Sequence, residues 1–125
     1  MKDSIRILLI DDEENVARIV ADVLHCFGYD VEVATSGRDG VLRACTSLPD
    51  VIVCDARMPE LGGEEVILML KAQPGTQHIP IVLTSGYCEP AFSHLADAFL
   101  PKPFVVNELS KLIMSLLSTR TAVAA

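Results

Sequence analysis

The chain alternates between short, unbroken apolar runs and longer stretches in which apolar residues recur every third or fourth position. The apolar runs cover residues 5–10, 31–34, 51–55, 81–84 and 98–100. Runs this short, bounded by proline, glycine or acidic residues, are typical of strands in a parallel sheet, and most of these are interpreted as buried on both faces. Helical spacing is clearest in two stripes: Val16, Ile19, Val20, Val23, Leu24 and Phe27, and then Leu109, Leu112, Ile113, Leu116 and Leu117.

Strand and helix patterns alternate five times, which predicts an α/β fold. Right-handed crossovers with helices on both faces favour a flavodoxin-like (βα)5 doubly wound parallel sheet with strand order 2-1-3-4-5. Only sixteen residues separate Ser85 from Lys102, and Pro90 lies among them, so the fourth helix is predicted to be shortened or mobile. We expect one domain over residues 1–118 and a frayed tail over 119–125, where the last stripe ends.

Charge and composition exclude several classes of function. The net charge is −7 across 125 residues, which makes nucleic acid or an anionic membrane an unfavourable direct partner. The apolar runs are too short for a membrane span, so we expect no membrane insertion and a cytoplasmic location. The four cysteines, Cys26, Cys45, Cys54 and Cys88, are widely spaced and are interpreted as reduced core thiols.

Chemically active side chains follow four of the predicted strands. Asp11 and Asp12 follow strand 1, Asp55 ends strand 3, Ser85 ends strand 4 and Lys102 follows strand 5. Parallel strands end at the same edge of a sheet, so these side chains should converge on one site. Each of them alone would most often be a turn residue, a cap or a surface charge; their joint occurrence at four strand ends favours a site.

Clustered carboxylates repel one another, and a hard divalent cation such as Mg²⁺ (or Mn²⁺) relieves that repulsion. Such a cation keeps open positions that phosphate oxygens can fill. Ser85 offers a hydroxyl and Lys102 a point charge, and both suit a phosphoryl group. An aspartate such as Asp55 can act as the nucleophile and form an acyl phosphate. The pattern therefore favours phosphoryl-group chemistry at this edge.

The chain closely resembles the receiver domain of two-component response regulators, from Ile5 to about Leu117. The motifs that carry the resemblance are Leu8-Leu9-Ile10-Asp11-Asp12-Glu13, Asp55-x-x-Met58-Pro59 with Gly62-Gly63, Ser85-Gly86-Tyr87, and Lys102-Pro103-Phe104. The Ser85-Gly86-Tyr87 motif also resembles receivers associated with sensor kinases.

The resemblance implies a phosphorelay signalling module in which Asp55 accepts a phosphoryl group. The donor would be a histidine kinase or a histidine phosphotransfer protein. The metal ligands would be Asp12 directly, Asp11 mainly through water, Asp55 itself, and the main-chain carbonyl of Arg57. An output domain or partner protein would receive the signal. No enzymatic turnover is expected beyond Mg-dependent self-phosphorylation and autodephosphorylation.

The resemblance also implies a switch. Ser85 would move to bond the phosphoryl group, Lys102 would pair with it, and Phe99 occupies the place of the switch aromatic. The surface formed by helix 4, strand 5 and helix 5 would then rearrange. The Lys102-Pro103 bond is expected to be cis. Phe99 has no hydroxyl, so its switching would depend on packing alone.

Arg57 and Tyr87 are large and flank the acceptor and switch positions, so we predict that they restrict water and slow loss of the phosphoryl group.

Two alternatives remain beside the receiver interpretation. A pseudo-receiver would have the same fold and act as a phosphorylation-independent interaction domain. An aspartyl-phosphate phosphatase would need a second acidic residue two positions after the nucleophile, where this chain has Arg57.

Overall fold

The computed structural model describes the backbone of residues 4–124 and the side chains of residues 4–118. Five strands alternate with helices, and the connection between the last two strands is a 3-10 helix, Ala91–Leu95. The strands are β1 (Arg6–Ile10), β2 (Asp30–Ala34), β3 (Val51–Asp55), β4 (Ile81–Ser85) and β5 (Ala98–Pro101). The helices are α1 (Glu14–Cys26), α2 (Gly37–Ser47), α3 (Gly63–Lys71) and α4 (Val106–Ala124).

The sheet is parallel throughout, with strand order β2-β1-β3-β4-β5. The predicted fold class and strand order are therefore confirmed. Register aligns the strand ends: Asp55 lies opposite Thr84, and Ser85 lies opposite Pro101. This alignment brings the residues at the ends of β3, β4 and β5 to one edge.

Side chains alternate between two hydrophobic layers because successive strand residues point to opposite faces. Leu8 and Ile10 of β1 pack on the side of α2 and α3, whereas Ile7 and Leu9 pack on the side of α1 and α4. Every residue of β3 and β4 is buried. Full burial of one such aliphatic side chain contributes about 1.5–3 kcal/mol, so these central strands form a rigid base for the residues at their ends.

Helix α1 buries a different stripe from the one its larger apolar residues predict. Its buried residues are Ala17, Ala21 and Leu24, whereas Ile19 is 64% exposed and Val16 and Phe27 are also exposed. Two alanines on one face let the helix lie close to the sheet, and the larger residues are then displaced to its flanks. The predicted inward stripe is therefore only partly correct, at Leu24 and the half-buried Val20 and Val23.

The helix ends are stabilised by local residues and contacts. Gly28 adopts φ +97° after α1, a conformation that glycine accepts without strain. Ser36 caps α2, and its Oγ accepts from the backbone N–H of Asp39 at 3.1 Å. Val105 precedes α4 and cannot cap it, but the Glu108 carboxylate accepts from the Val105 N–H at 3.3 Å.

The connection between β4 and β5 is short, as predicted. Phe92 and Leu95 of the 3-10 helix pack partly buried against the core on the α3 side. Asp97 follows, and its carboxylate accepts from the N–H of Ile81 at 2.8 Å and lies 3.5 Å from the Lys71 ammonium. These contacts anchor the short connection to the start of β4 and to α3.

Three further predictions concern other parts of the chain. The Lys102-Pro103 bond is cis, as expected. Helix α4 runs to Ala124, but the side chains of residues 119–125 lie outside the described ones. The frayed tail over 119–125 therefore stays a prediction. Among residues 4–124, no helix combines the length and apolar character that crossing a membrane requires.

The prediction that all four cysteines are core thiols is wrong for three of them. All four are free, but Cys26, Cys45 and Cys88 are exposed and only Cys54 is buried. Burial, together with the negative charge of Asp55, raises the pKa of the Cys54 thiol. Cys54 therefore stays a neutral, hydrophobic residue under the site.

Candidate phosphoryl-transfer site

A cavity of about 510 Å³ opens at the carboxyl edge of the sheet, above β3 and β4. It contains most of the predicted site residues, and its lining consists of Asp12, Glu13, Asp55, Arg57, Ser85, Gly86, Tyr87 and Lys102. The aspartates come from the ends of β1 and β3, the serine from the end of β4, and the lysine from the segment after β5. The fold thus brings together residues up to ninety-one positions apart in the chain.

Lys102 forms the electrostatic centre of this cavity. Its Nζ donates to Asp11 Oδ2 at 3.0 Å and lies 3.5 Å from Asp55 Oδ2. Burial alone would lower the pKa of Lys102, but the hydrogen bond to Asp11 and the charge of Asp55 outweigh it and raise that pKa. Lys102 is therefore a fixed positive charge at neutral pH.

Asp55 ends β3 with only 7% of its surface exposed. Burial raises the pKa of its carboxyl group, and the nearby charges of Asp11 and Asp12 add to that effect while Lys102 opposes it. A partly desolvated carboxylate at the base of an open cavity is placed to react with an electrophile that enters from solvent.

Asp11, Asp12 and Asp55 each offer one carboxylate oxygen, and these oxygens lie within 4.8 Å of one another. Hard oxygen donors in a partly open cavity suit Mg²⁺ or Mn²⁺, which keep several water ligands. The donor set therefore fits the predicted cation. The part of the Arg57 main-chain carbonyl in that site stays a prediction.

Ser85 lies at the end of β4 with 2% of its surface exposed. Its Oγ accepts from the backbone N–H of Tyr87 at 3.2 Å, and its main-chain oxygen accepts from the N–H of Lys102 at 2.8 Å. The Ser85 hydroxyl proton stays free to donate, because in this contact the oxygen is the acceptor. Ser85 is thus connected to the segments on both sides of the cavity.

Arg57 and Tyr87 form a stacked pair at the cavity wall. The Arg57 guanidinium carbon lies 4.3 Å from the centroid of the Tyr87 ring, within the range of a cation–π contact. Both side chains are exposed, and Tyr87 is 66% exposed. The pair joins the segment after β3 to the segment after β4 across the cavity.

Phe99 is outside the cavity. It lies opposite Leu83 in the sheet register, and its half-buried ring packs on the hydrophobic layer that includes Phe92 and Leu95. Phe99 is therefore separate from the charged groups. Any link between Phe99 and Ser85 would run along the paired strands β4 and β5.

Glu13 is the site residue that sequence reasoning missed. Its Oε1 lies 3.8 Å from Lys102 Nζ, and its backbone N–H donates to Asp11 Oδ1 at 2.9 Å. The acidic run from Asp11 to Glu14 carries the signal, but such a run is equally explained as favourable charge at the start of α1. Since α1 begins at Glu14, Glu13 precedes the helix and faces the cavity, whereas Glu14 pairs with Arg18 on the surface.

Comparison with known proteins agrees with this geometry. Residues 7–114 match the family model of the response regulator receiver domain. The chain is 32% identical over 122 residues to the transcriptional regulatory protein PrrA of Mycobacterium leprae, covering 95% of this chain and 52% of PrrA. The chain spans about half the length of the curated relatives it matches first.

Solved structures show the same fold. The receiver domain of a signal transduction histidine kinase from Syntrophus aciditrophicus is 30% identical, with a TM-score of 0.82 over 91% of this chain and 90% of that one. The receiver domain of the sensor histidine kinase PA1611 from Pseudomonas aeruginosa is 24% identical, with a TM-score of 0.85 over 92% of this chain and 98% of that one. In PA1611 a magnesium ion is coordinated in the active-site cleft.

Proposed function

The chain belongs to the response regulator receiver domain family, and from that premise we propose that Asp55 is its phosphoacceptor. The proposed donor is a phosphohistidine on a histidine kinase or a histidine phosphotransfer protein. The observation that carries the proposal is the position of Lys102 Nζ, 3.0 Å from Asp11 and 3.5 Å from Asp55, beside three converging carboxylates. That arrangement pairs a nucleophile with a fixed positive charge in an open cavity.

In the proposed reaction a carboxylate oxygen of Asp55 attacks phosphorus. A P–O bond forms, the P–N bond to the imidazole breaks, and the released imidazole nitrogen takes up a proton. The product is an acyl phosphate on Asp55. Lys102 would neutralise charge on the phosphoryl oxygens, and alignment with charge neutralisation is most of what phosphoryl transfer requires from a protein.

A divalent cation, Mg²⁺ or Mn²⁺, would be held by Asp11, Asp12, Asp55 and the Arg57 main-chain carbonyl. When bound, it would neutralise charge on the carboxylates and on the incoming phosphoryl oxygens. The convergence of three carboxylate oxygens within 4.8 Å supports this assignment. The magnesium in the PA1611 receiver is in agreement with it, although at 24% identity that likeness is one of fold.

Signalling would follow from the movement of Ser85 and Lys102 onto the phosphoryl group, with Phe99 repacking. The responding surface would be formed by the 3-10 helix Ala91–Leu95, strand β5 and helix α4. The backbone pairing of Ser85 with Lys102 and of Leu83 with Phe99 supports a path between site and surface along β4 and β5. A histidine kinase donor and an output domain or partner protein are the expected partners, without direct contact to nucleic acid.

Loss of the phosphoryl group would occur by attack of water on phosphorus, which regenerates the Asp55 carboxylate and releases phosphate. We assign Arg57 and Tyr87 as the residues that slow this step, since their stacked side chains lie over the cavity wall. No further enzymatic activity is proposed. We propose a cytoplasmic location, where the four free cysteines stay reduced.

The alternative of a pseudo-receiver is not favoured, because Asp12, Asp55, Ser85 and Lys102 are all present and converge on one cavity. A pseudo-receiver would bind a partner in the same way with or without Asp55. Phosphorylation by a small donor therefore separates the two functions.

The proposal is tested by intact mass after incubation with Mg²⁺ and phosphoramidate, whose P–N bond stands in for phosphohistidine. The wild type should gain one phosphoryl group, about 80 Da. Asp55→Ala should gain none, while Asp22→Ala, which changes an exposed aspartate on α1, should behave as the wild type. An adduct on Asp55→Ala, or none on a wild type that binds Mg²⁺, would overturn the assignment of Asp55.

A further inference from the structure

Among the residues that the structure describes, Lys102 has three carboxylate neighbours, and these differ in exposure and in their place relative to the oxygen cluster. Asp11 and Asp55 belong to the converging oxygen cluster, and their side chains are 7% and 9% exposed. Glu13 is outside that cluster, its side chain is 65% exposed, and its Oε1 lies 3.8 Å from Lys102 Nζ. The Lys102 ammonium group therefore lies near two buried carboxylates that would bind a metal, Asp11 and Asp55. It also lies near the exposed carboxylate of Glu13, which would not bind the metal.

Lys102 and a divalent cation compete for the same carboxylate groups. The Asp11 oxygen that accepts from Lys102 and the Asp55 oxygen 3.5 Å from it belong to residues that would hold the cation. Two cations in contact with the same carboxylates repel each other strongly at a partly buried site. Entry of the metal therefore favours a displacement of Nζ away from Asp11.

Glu13 lies where the displaced ammonium group can be paired. The lysine side chain turns on four flexible methylenes, so a small rotation exchanges the 3.0 Å contact with Asp11 for a close contact with Glu13. The position of Glu13 is set by its own N–H, which donates to Asp11 Oδ1 at 2.9 Å. Glu13, which would pair with Lys102, is thus hydrogen-bonded through its backbone N–H to Asp11, the residue that Lys102 would leave.

We propose that Glu13 is a positioning residue that pairs with Lys102 when a divalent cation occupies the aspartates, and so lowers the cost of admitting the metal. This inference rests on the proposed function, since it uses the same metal site. It adds a fourth carboxylate whose role differs from that of the aspartates, because Glu13 binds neither metal nor phosphoryl group. Lys102 would stay at the cavity mouth, ready to meet the phosphoryl oxygens.

The test measures Mg²⁺ affinity by titration calorimetry in a double-mutant cycle. Glu13→Gln should weaken Mg²⁺ binding about threefold to tenfold, in the range of coupling between residues that share a partner. Glu14→Gln is the matched control, because it removes the same charge one position along, from a residue that pairs with Arg18. It should weaken binding by about twofold at most, the effect of a surface charge.

The same substitutions in a Lys102→Ala background separate the explanations. Lys102→Ala alone should bind Mg²⁺ more tightly than the wild type, because a competing cation is removed. In that background Glu13→Gln should weaken binding no more than Glu14→Gln does. An equal loss from Glu13→Gln with and without Lys102 would mean that Glu13 acts on the metal itself, and no loss in either would mean that it is a surface charge. Both results overturn the inference.

Failure of the inference is distinguishable from failure of the proposed function. A wild type that binds no Mg²⁺ contradicts the metal site, whatever Glu13 does. A wild type that binds Mg²⁺ and is phosphorylated, with no coupling between Glu13 and Lys102, contradicts the inference alone.

Discussion

The backbone N–H of Tyr87 donates to the hydroxyl of Ser85 at 3.2 Å, while the ring of the same tyrosine stacks under Arg57. Tyr87 thus contacts both the proposed switch hydroxyl and the Arg57 side chain at the cavity wall. If Ser85 turns toward a phosphoryl group on Asp55, its contact with Tyr87 changes at the same time. Access of water and switching are therefore expected to be coupled at this site.

Arg57→Ala and Tyr87→Ala should each speed loss of the phosphoryl group by about twofold to fivefold, since an exposed cation–π contact contributes about 0.5–1 kcal/mol. The measurement is the decay of the phosphorylated mass with time. Tyr87→Phe keeps the ring and should decay as the wild type does. Arg38→Ala, a change at an exposed arginine on α2, serves as the control for lost positive charge. No acceleration in either alanine variant would contradict the shielding role.

Asp55 should lower the stability of the metal-free protein at neutral pH. Burial raises the pKa of its carboxyl group, so the folded state binds a proton more tightly than the unfolded state does. The folded state is then relatively favoured below the ordinary aspartate range and loses that advantage as pH rises through the raised pKa. Asp55→Asn should therefore stabilise the protein at about pH 7, and by less near pH 4.

Urea unfolding in EDTA at the two pH values measures this difference. Asp22→Asn, at an exposed aspartate of α1, is the control and should change stability little at either pH. A destabilised Asp55→Asn at neutral pH would mean that the contact with Lys102 outweighs burial.

Gly37 should tolerate no side chain. A Cβ at this position would lie 2.3 Å from the main-chain oxygen of Leu61, in the segment that follows Asp55. Gly37→Ala must therefore move backbone, at a cost of about 1–3 kcal/mol. Gly75→Ala is the matched control, because no atom of the described residues lies within 4 Å of its Cβ. Urea unfolding of the two variants checks the prediction, which fails if their midpoints are equal.

Two substitutions of aliphatic residues by alanine test which face of helix α1 is buried. Leu24→Ala should destabilise the protein by about 2–5 kcal/mol, because Leu24 is fully buried and its loss leaves a cavity. Ile19→Ala removes a similar volume from an exposed position and should change stability by about 0.5 kcal/mol or less. Comparable losses of stability in the two variants would mean that Ile19 is buried, as the stripe of larger apolar residues predicted.

The sequence was sufficient for the strands and for the residues at their ends, because these depend on local patterns. It was also sufficient for the strand order, because right-handed crossovers with helices on both faces favour few arrangements. The apolar runs are short and bounded, and a parallel sheet leaves one edge at which their carboxylates, hydroxyl and amine can meet. Assembling Lys102 with Asp11 required only the strand order, although they lie ninety-one positions apart in the chain.

Other features depended on packing that the pattern did not encode. Ala17 and Ala21 lie on the face of α1 that packs on the sheet. A stripe defined by large apolar residues does not include these alanines, so it predicted a different face. The role of Glu13 depended on the start of α1 at Glu14, which places Glu13 before the helix. Cys26, Cys45 and Cys88 have apolar neighbours in sequence but lie outward in space. In α1 the buried face therefore follows the small residues rather than the large ones.

The 3-10 helix Ala91–Leu95 has no buried residue among its five, although it forms part of the surface proposed to transmit the signal. Phe92 and Leu95 pack against the core only partly buried, and segments held by few fully buried side chains open locally at a free energy below that of global unfolding. A modest energetic preference exerted at Ser85 would therefore be enough to redistribute the conformations of this segment. Its amide hydrogens should exchange with solvent sooner than those of β4, and phosphorylation should change their protection first.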